Sequence, residues 1–199
     1  MTRQQIVAKA EAELGSTKWS RYLTFCGIDF KTDWCMAFVS WTFGSLNGKA
    51  IPNKLINVTP TRKWFRDKNR YMDKASYKPQ PGDLIIYKWR EDGMVHHVGI
   101  VRYSTDTHVY TVEGNVDFIN GVSRVAYKTR KRDYGPIDGY CKVIIPDVTD
   151  PDPDPTDPDP TDPWEPEIPG DNPYDPPDEQ RVYYTGRKYK WYLYQKRRR

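Results

Sequence analysis

The stretch that most constrains the fold is a dense apolar run that begins with a single thiol, Asp33-Trp34-Cys35-Met36-Ala37-Phe38-Val39-Ser40-Trp41. Residues that are apolar on every side predict a buried helix rather than an amphipathic one. A helix drawn from Trp34 to about Leu46 has Cys35 in its first turn. Backbone N–H groups and the positive end of the helix dipole favour a thiolate there, and the thiolate is the form that attacks carbonyl carbons.

The composition divides the 199 residues into three unlike parts. Residues 1–145 mix apolar, aromatic and charged residues as a globular domain does, and that length can bury a core. Residues 146–180 hold twelve of the seventeen prolines and thirteen acidic residues, with no lysine or arginine. Residues 181–199 hold eight basic residues and no acidic one. We therefore predict a globular domain (1–145), an acidic linker rich in proline and aspartate (146–180) and a basic aromatic tail (181–199).

Helix signals come first along the chain. Thr2 and Gln5 have the spacing of a capping box, which predicts a first helix from about Arg3 to Leu14. The segment from Trp19 to Thr32 is irregular and aromatic and predicts no element. Thr59-Pro60 predicts a short helix with the threonine as cap and the proline at the first helical position.

Strand signals follow, after the break at Pro79-Gln80-Pro81-Gly82. Helices first and strands later, with short connections, predict an α+β fold with an antiparallel sheet. The predicted strands are 83–87, 97–103, 108–113, 122–127 and 140–145.

Three cysteines, Cys26, Cys35 and Cys141, form an odd set without close spacing, so the sequence predicts neither a disulfide framework nor a zinc site. The first residues enter a helical pattern directly, without the apolar region of a signal peptide, and no run approaches membrane-spanning length. We therefore expect synthesis in the cytoplasm, with another protein releasing this one to any target outside the membrane.

The net charge of +4 hides a domain of about +9, an acidic linker and a basic tail. A positive domain and a positive tail indicate an anionic partner, which is nucleic acid, an anionic membrane or an anionic cell-wall polymer. No feature of the sequence points to specific nucleic-acid binding.

Two adjacent histidines, His96 and His97, open an apolar strand. Since side chains alternate faces along a strand, only one of them can point toward Cys35, and periodicity leaves open which one. His108 is interpreted as an ordinary surface histidine. The next strand ends in Glu113-Gly114-Asn115, which predicts that the carboxylate and the amide share a face. A histidine base needs such an acceptor on its second nitrogen.

Four motifs in order and spacing resemble the CHAP family, the cysteine, histidine-dependent amidohydrolases/peptidases. They are the run beginning Trp34-Cys35, then Pro81-Gly82-Asp83-Leu84-Ile85, then His97-Val98-Gly99-Ile100-Val101, then Glu113-Gly114-Asn115. The resemblance extends from about Lys18 to Ile145, with 137–140 similar to the last strand of the family.

The resemblance implies a papain-like α+β fold, with N-terminal helices and the nucleophile helix packed on a C-terminal antiparallel sheet. It also implies hydrolysis of peptidoglycan amide bonds. Carried over by position, Cys35 matches the nucleophile, His97 the general base, Glu113 the residue that orients it, and Asn115 an accompanying polar residue. His96 stands where the family varies, so the resemblance selects His97.

The chemistry implied uses a thiolate and an acyl-enzyme and needs no cofactor and no metal. Clustered acidic residues of the kind that bind calcium are too few near Asp29 and Asp33 to predict such a site. Aromatic residues could line a groove for the glycan and peptide, although most are expected to pack in the core; the candidates are Trp19, Tyr22, Trp64, Trp89 and Tyr110.

The linker repeats Asp-Pro from Asp150 to Pro163, which predicts an extended, semi-rigid spacer. The tail could form two short strands about Gly186. Three roles are open for it: binding anionic wall polymer or lipid headgroups, docking on the enzyme or another subunit, or remaining a solvated end.

The function that these expectations favour is a peptidoglycan hydrolase of the phage endolysin type. It would cut either the N-acetylmuramoyl-L-alanine amide or a bond of the stem peptide or cross-bridge. One alternative is a virion-associated lysin that acts when the phage penetrates the cell. The other is a non-catalytic wall-binding or structural module with a papain-like fold and an idle thiol.

Overall fold

The computed structural model describes residues 1–46, 50–90, 92 and 94–145, and the strand backbones of residues 184–187 and 190–193. Helices come first in this part of the chain, and the strands of the main sheet follow them. The helices are α1 (Arg3–Glu11), α2 (Trp19–Phe25), α3 (Cys35–Phe43), which a 3-10 turn (Gly44–Leu46) extends, and α4 (Val58–Asp67). The strands are β1 (Tyr71–Met72), β2 (Leu84–Tyr87), β3 (His97–Ser104), β4 (His108–Ile119), β5 (Val122–Lys131) and β6 (Ile137–Cys141).

Helix α3 is the buried helix that the apolar run predicts. Eight of its nine side chains are buried, and Cys35 is its first residue. Two polar side chains of the helix are satisfied internally, since the hydroxyl of Ser40 donates to the carbonyl of Leu55 at 2.6 Å and that of Thr42 to the carbonyl of Phe38 at 2.9 Å. The helix is therefore a fixed core element, and it holds the thiol at its start.

One antiparallel sheet joins the six strands in the order β1-β6-β2-β3-β4-β5. Helix α3 contacts β3 and β4, and Val98 and Val112 share one core with Met36 and Phe38. The opposite face of the sheet has a smaller apolar core around Tyr140. The predicted α+β arrangement, with N-terminal helices and the helix that begins at Cys35 packed on an antiparallel sheet, is confirmed.

The predicted helices differ from the observed ones at their boundaries. The capping box of Thr2 and Gln5 is present, but α1 ends at Glu11 rather than Leu14. The prediction of an irregular Trp19–Thr32 segment is wrong, because α2 forms there without any side-chain cap to announce it. Helix α2 forms because of tertiary packing, since its residues Tyr22 and Leu23 are fully buried.

The cap of α4 is also different from the predicted one. The cap is the side chain of Asn57, which accepts the backbone N–H of Thr59, the second residue of the helix, at 3.0 Å. Pro60 consequently lies at the third helical position rather than the first. Phe65 anchors the helix to the body of the domain, because its side chain is fully buried.

The strands are longer than predicted in the β4–β5 hairpin and displaced at the end of the domain. Strand β6 begins at Ile137, where the family resemblance placed it, rather than at Tyr140. The two-residue strand β1 pairs with it, and so short an element leaves no alternation to detect. In the tail, β7 (Tyr184–Arg187) and β8 (Lys190–Leu193) pair antiparallel, with Gly186 inside β7 opposite Trp191. Residues 146–180, the predicted linker, lie outside the described residues.

The Pro81-Gly82-Asp83 motif fastens the start of the chain to the sheet. Asp83 is fully buried and accepts hydrogen bonds from Arg3 at 3.1 Å, from the Tyr77 hydroxyl at 2.7 Å and from two backbone N–H groups. Arg3 also donates to the carbonyls of Pro81 and Val143. These contacts join the first helix, the start of β2 and the end of the domain, and we call this group of residues the Asp83 cluster.

Candidate active site

The structure brings Cys35, His97 and Glu113 together, although they lie on one helix and two strands. His97 opens β3, and its Nε2 lies 2.8 Å from Oε2 of Glu113 in the middle of β4. The Cys35 side chain also acts on His97, since it contributes to the raised pKa of that imidazole. Because Nε2 is engaged by the carboxylate, Nδ1 is the ring nitrogen left for the thiol. The three side chains are 4%, 5% and 2% exposed, so the chain of contacts is shielded from water.

Glu113 is held by two further side chains that sequence reasoning missed. The Tyr87 hydroxyl donates to its Oε1 at 2.8 Å and the Thr111 hydroxyl to the same oxygen at 2.7 Å. Both donors therefore occupy one carboxylate oxygen, which leaves the other for His97. A signal for Thr111 was present, since it lies two residues before Glu113 and so on the same face of β4. Tyr87 is found only through pairing, as it lies opposite His97 in the β2–β3 register.

The electrostatics of the pair favour a charged histidine beside a charged carboxylate. Burial alone lowers the pKa of His97, but the hydrogen bonds and charges of Cys35 and Glu113 outweigh it and raise that pKa to about 9. Burial alone raises the pKa of Glu113, but the hydrogen bond and charge of His97, the charge of Arg130 and the Thr111 hydroxyl lower it to about 2. At neutral pH the imidazole therefore holds a proton that it can donate.

His96 points elsewhere, as strand alternation requires of one member of the pair. Its Nδ1 accepts the backbone N–H of Trp89 at 3.1 Å, and its Nε2 lies 3.0 Å from Asp92. His97, the histidine that the resemblance selects, lies beside Glu113, whereas His96 does not. His108, interpreted as a surface residue, is half-buried and bonds the Thr107 hydroxyl at 2.9 Å.

Asn115, the fourth predicted site residue, bonds Asp33 rather than His97. Its side-chain amide donates to Oδ1 of Asp33 at 3.0 Å. The regular alternation on which its placement beside Glu113 was based does not hold, because the β4–β5 register shifts between Glu113 and Val116 and Asn115 has a φ of 65°. Asn115 thus braces the segment just before Cys35, and Asp33, which had no predicted role, is its partner.

Close packing explains the glycines of the two strand motifs. A Cβ on Gly99 would lie 2.7 Å from Cγ of Glu113, and one on Gly114 would lie 2.8 Å from Cβ of Phe38 and from the Trp34 ring. Real Cβ atoms are not found at such distances. The glycine of the histidine motif therefore makes room for the carboxylate, and that of the Glu-Gly-Asn motif lets β4 approach the start of α3.

Of the predicted aromatic residues, Trp89 lies at the site. Its half-buried ring stacks on His97 with centroids 5.5 Å apart and on Tyr87 with centroids 5.6 Å apart. Trp19 packs against the main core, and Trp64 packs on Phe65 with Lys68 over its ring. The expectation that Tyr22 could line a groove is wrong, because that side chain is fully buried. Tyr110 stacks on Tyr103 at 4.3 Å.

The described residues contain no group of three or more His, Cys, Asp or Glu side chains that could hold a metal ion. All three cysteines are free. None of the described helices is long and apolar enough to cross a membrane.

Comparison with known proteins gives a match to a family model and likenesses to solved structures. Residues 27–115 match the model of the CHAP domain, a span that includes Cys35, His97, Glu113 and Asn115. A solved structure described as "The crystal structure of Ly7917" is similar, with 14% sequence identity and a TM-score of 0.48 over 72% of this chain and 63% of that chain. The present chain thus spans less than two thirds of Ly7917. No curated protein matches the sequence.

Proposed function

Because residues 27–115 belong to the CHAP family of cysteine, histidine-dependent hydrolases, we propose that this protein hydrolyses an amide bond of peptidoglycan with Cys35 as nucleophile. The observation that supports it best is the buried chain of contacts from Glu113 through His97 to a thiol at the first residue of α3. Nucleophile, base and orienting carboxylate in hydrogen-bond contact form the arrangement that thiol acyl transfer requires.

In the first step the sulfur of Cys35, whose proton His97 has already accepted, attacks the amide carbonyl carbon. The oxyanion that forms needs preorganised donors. The backbone N–H of Cys35 is suited to this, since the first N–H groups of a helix have no acceptor within it and the helix dipole favours negative charge there.

In the second step the C–N bond breaks and the imidazolium of His97 donates its proton to the leaving amine. Water then attacks the thioester carbon, with the neutral imidazole accepting its proton, and the thiol is released. Glu113 remains a carboxylate throughout, fixing the tautomer of the ring and stabilising its cationic form. General acid–base catalysis of this kind contributes on the order of 10²–10⁴-fold in rate.

The finer proposal is an endolysin that a phage uses to lyse its host, cutting either the N-acetylmuramoyl-L-alanine amide or a bond of the stem peptide or cross-bridge. A virion-associated lysin uses the same chemistry. The two are separated by testing for the protein in purified virions, where an endolysin is absent.

The basic tail is proposed to bind anionic wall polymer or lipid headgroups, because it combines eight basic residues with tyrosines and a tryptophan. Attraction of this kind weakens with salt. Wall binding by the full chain that falls with ionic strength, compared with a chain ending at residue 180, tests the tail separately from the enzyme.

The experiment that tests the hydrolase proposal is digestion of purified peptidoglycan followed by mass spectrometry of the soluble products. We expect new amine and carboxyl termini at one bond type with the native protein and none with Cys35→Ala. Product masses identify the amide. Equal product release by Cys35→Ala would overturn the proposal, and so would the absence of products from the native protein. A non-catalytic module would bind the wall in both forms and release nothing.

A further inference from the structure

The tip of the β4–β5 hairpin, residues 116–124, exposes apolar side chains that a hydrolase domain would otherwise bury. Phe118 is 38% exposed, Ile119 51% and Val122 43%. Four other large apolar residues of the described chain are at least as exposed as Phe118, but they are far apart in the sequence: Leu14, Phe30, Tyr127 and Ile144. A cluster of this kind marks an interaction surface more often than single exposed residues do.

The base of this hairpin is fastened to the two residues that precede the nucleophile. Asn115 donates to Asp33 at 3.0 Å, and the indole N–H of Trp34 donates to the Ser123 hydroxyl at 3.0 Å. One strand of the hairpin thus holds Asp33 and the other holds Trp34. The hairpin tip is therefore anchored beside Cys35.

Strand register shows which face of the hairpin continues the site. Glu113 lies opposite Ala126, so the two side chains share a face of the sheet. Arg124 and Val122 follow on the same face, because they alternate with Ala126 along β5. Val122 lies opposite Ile119. A strip of side chains therefore extends from the carboxylate of the site to the exposed apolar pair.

The intervening residues Ser123 and Val125 point to the other face and are buried. The strip is thus the outward face of the hairpin, and the opposite face packs on the body of the domain. Val122 lies four residues from Ala126, which is about 13 Å along the strand, the length of about four residues of extended peptide.

Arg124, in the middle of the strip, is a half-buried cation with an unused donor. Its Nε is buried without a hydrogen-bond partner, and among the described residues it forms no ion pair. A guanidinium in this state lacks the acceptor that would offset its desolvation. A carboxylate is the ligand that matches its planar fork of donors.

We propose that Arg124, Val122 and Ile119 form the subsite for the peptide part of the substrate. Arg124 pairs with a carboxylate of that peptide, and the apolar pair contacts its short aliphatic side chains. This inference rests on the proposed function and adds to it that the substrate is recognised as an anionic peptide rather than through its glycan alone.

The test compares Arg124→Gln and the double variant Ile119→Ser/Val122→Ser with the native protein, on soluble peptidoglycan fragments with free carboxylates and on the same fragments amidated at those carboxylates. With free carboxylates we expect Arg124→Gln to raise KM about tenfold with kcat nearly unchanged. On amidated fragments the native protein and Arg124→Gln should be equal. The double variant should raise KM on both substrates.

Two controls make these results specific. Lys142→Gln and Leu14→Ser remove an exposed charge and an exposed apolar side chain away from the hairpin and should leave KM unchanged. The rate at which iodoacetamide alkylates Cys35 reports the integrity of the site without substrate, and it should be the same in all forms.

Unchanged KM in both hairpin variants would overturn the inference while native hydrolysis continued to support the proposed function. An equal effect of Arg124→Gln on free and amidated fragments would overturn carboxylate recognition. Slower alkylation of Cys35 in the variants would show that the hairpin acts by holding the site, which also overturns it. If the native protein released no product from any fragment, the proposed function itself would fail.

Discussion

Two buried charged clusters in this domain use similar groups for opposite purposes. In the Asp83 cluster, Arg3 donates to the backbone carbonyls of Pro81 and Val143, and Asp83 accepts from Arg3, from Tyr77 and from two backbone N–H groups. These bonds join structural elements to one another. In the site, Glu113 is equally surrounded, but its contacts continue through His97 to a thiol. A buried ion pair is therefore not by itself evidence of a catalytic site. What distinguishes the second cluster is that it ends on a nucleophile at a helix start.

Replacing the sulfur of Cys35 should separate the two clusters most strongly, because it should reduce the rate of hydrolysis with little change in stability. Cys35→Ser keeps the size of the side chain and the His97–Glu113 pair but substitutes a weak nucleophile, so we expect hydrolysis to fall on the order of 10³-fold or more. The free energy of unfolding should change by no more than about 1 kcal/mol. Product release from peptidoglycan and urea unfolding measure the two quantities. A large loss of stability would place Cys35 in a structural role.

Replacing Asp83 should give the opposite result. Asp83→Asn removes the carboxylate that pairs with the buried Arg3 guanidinium at 3.1 Å, and breaking a buried ion pair costs about 3–5 kcal/mol. The rate of hydrolysis per folded molecule should be unchanged. Lys78→Gln is the matched control, because it breaks an exposed ion pair with Asp106 and should cost less than about 1 kcal/mol. Loss of activity in folded Asp83→Asn would contradict the separation of the two clusters.

The pH dependence of the rate tests the charge of the histidine. Since the pKa of His97 is raised to about 9, kcat/KM of the native protein should fall only as the pH rises through about 9, where the ring loses the proton that the leaving amine needs. Glu113→Gln removes the carboxylate that stabilises the cation, so the alkaline fall should begin at lower pH. The variant should therefore lose more activity at pH 8 than at pH 6. If kcat/KM of Glu113→Gln still fell only near pH 9, the role assigned to Glu113 would be contradicted.

A smaller effect on the rate is expected from removing a donor to Oε1 of Glu113, the carboxylate oxygen that does not contact His97. Tyr87→Phe removes one of the two donors to Oε1 of Glu113 while retaining the ring that stacks on Trp89. A lost hydrogen bond to a charged group costs about 1.5–3 kcal/mol, shared between stability and catalysis, so kcat/KM should fall by about tenfold or less. Titration of His97 by NMR should show a lower pKa. An unchanged pKa and rate would show that Thr111 alone suffices to hold Glu113.

The sequence predicted the parts of the site that local patterns determine. An apolar run without polar gaps becomes a buried helix wherever it packs, and this placed Cys35 at a helix start. Strand alternation showed that only one of the two adjacent histidines can point toward Cys35, and the family resemblance identified that one as His97. The α+β arrangement followed from the order of helix and strand signals together with that resemblance.

The remaining parts depend on contacts between distant residues, and no local pattern determines them. Tyr87 reaches Glu113 only because β2 and β4 both flank β3. No local pattern in the sequence predicts that strand order. Asn115 turns toward Asp33 because of a bulge that regular alternation cannot predict. Asp83, part of a motif that supported the family resemblance, proved to be structural, since its partner Arg3 lies 80 residues away.

The most direct test of the account is the rate at which iodoacetamide alkylates each cysteine at pH 6, in the native protein and in His97→Ala. Burial raises the pKa of Cys26 to about 11 and that of Cys141 well above its ordinary value, so neither should react. The account predicts rapid, selective alkylation of Cys35 that slows by at least tenfold in His97→Ala, because the imidazolium no longer holds the proton of the thiol. Alkylation of Cys35 that is absent, unselective or independent of His97 would contradict it.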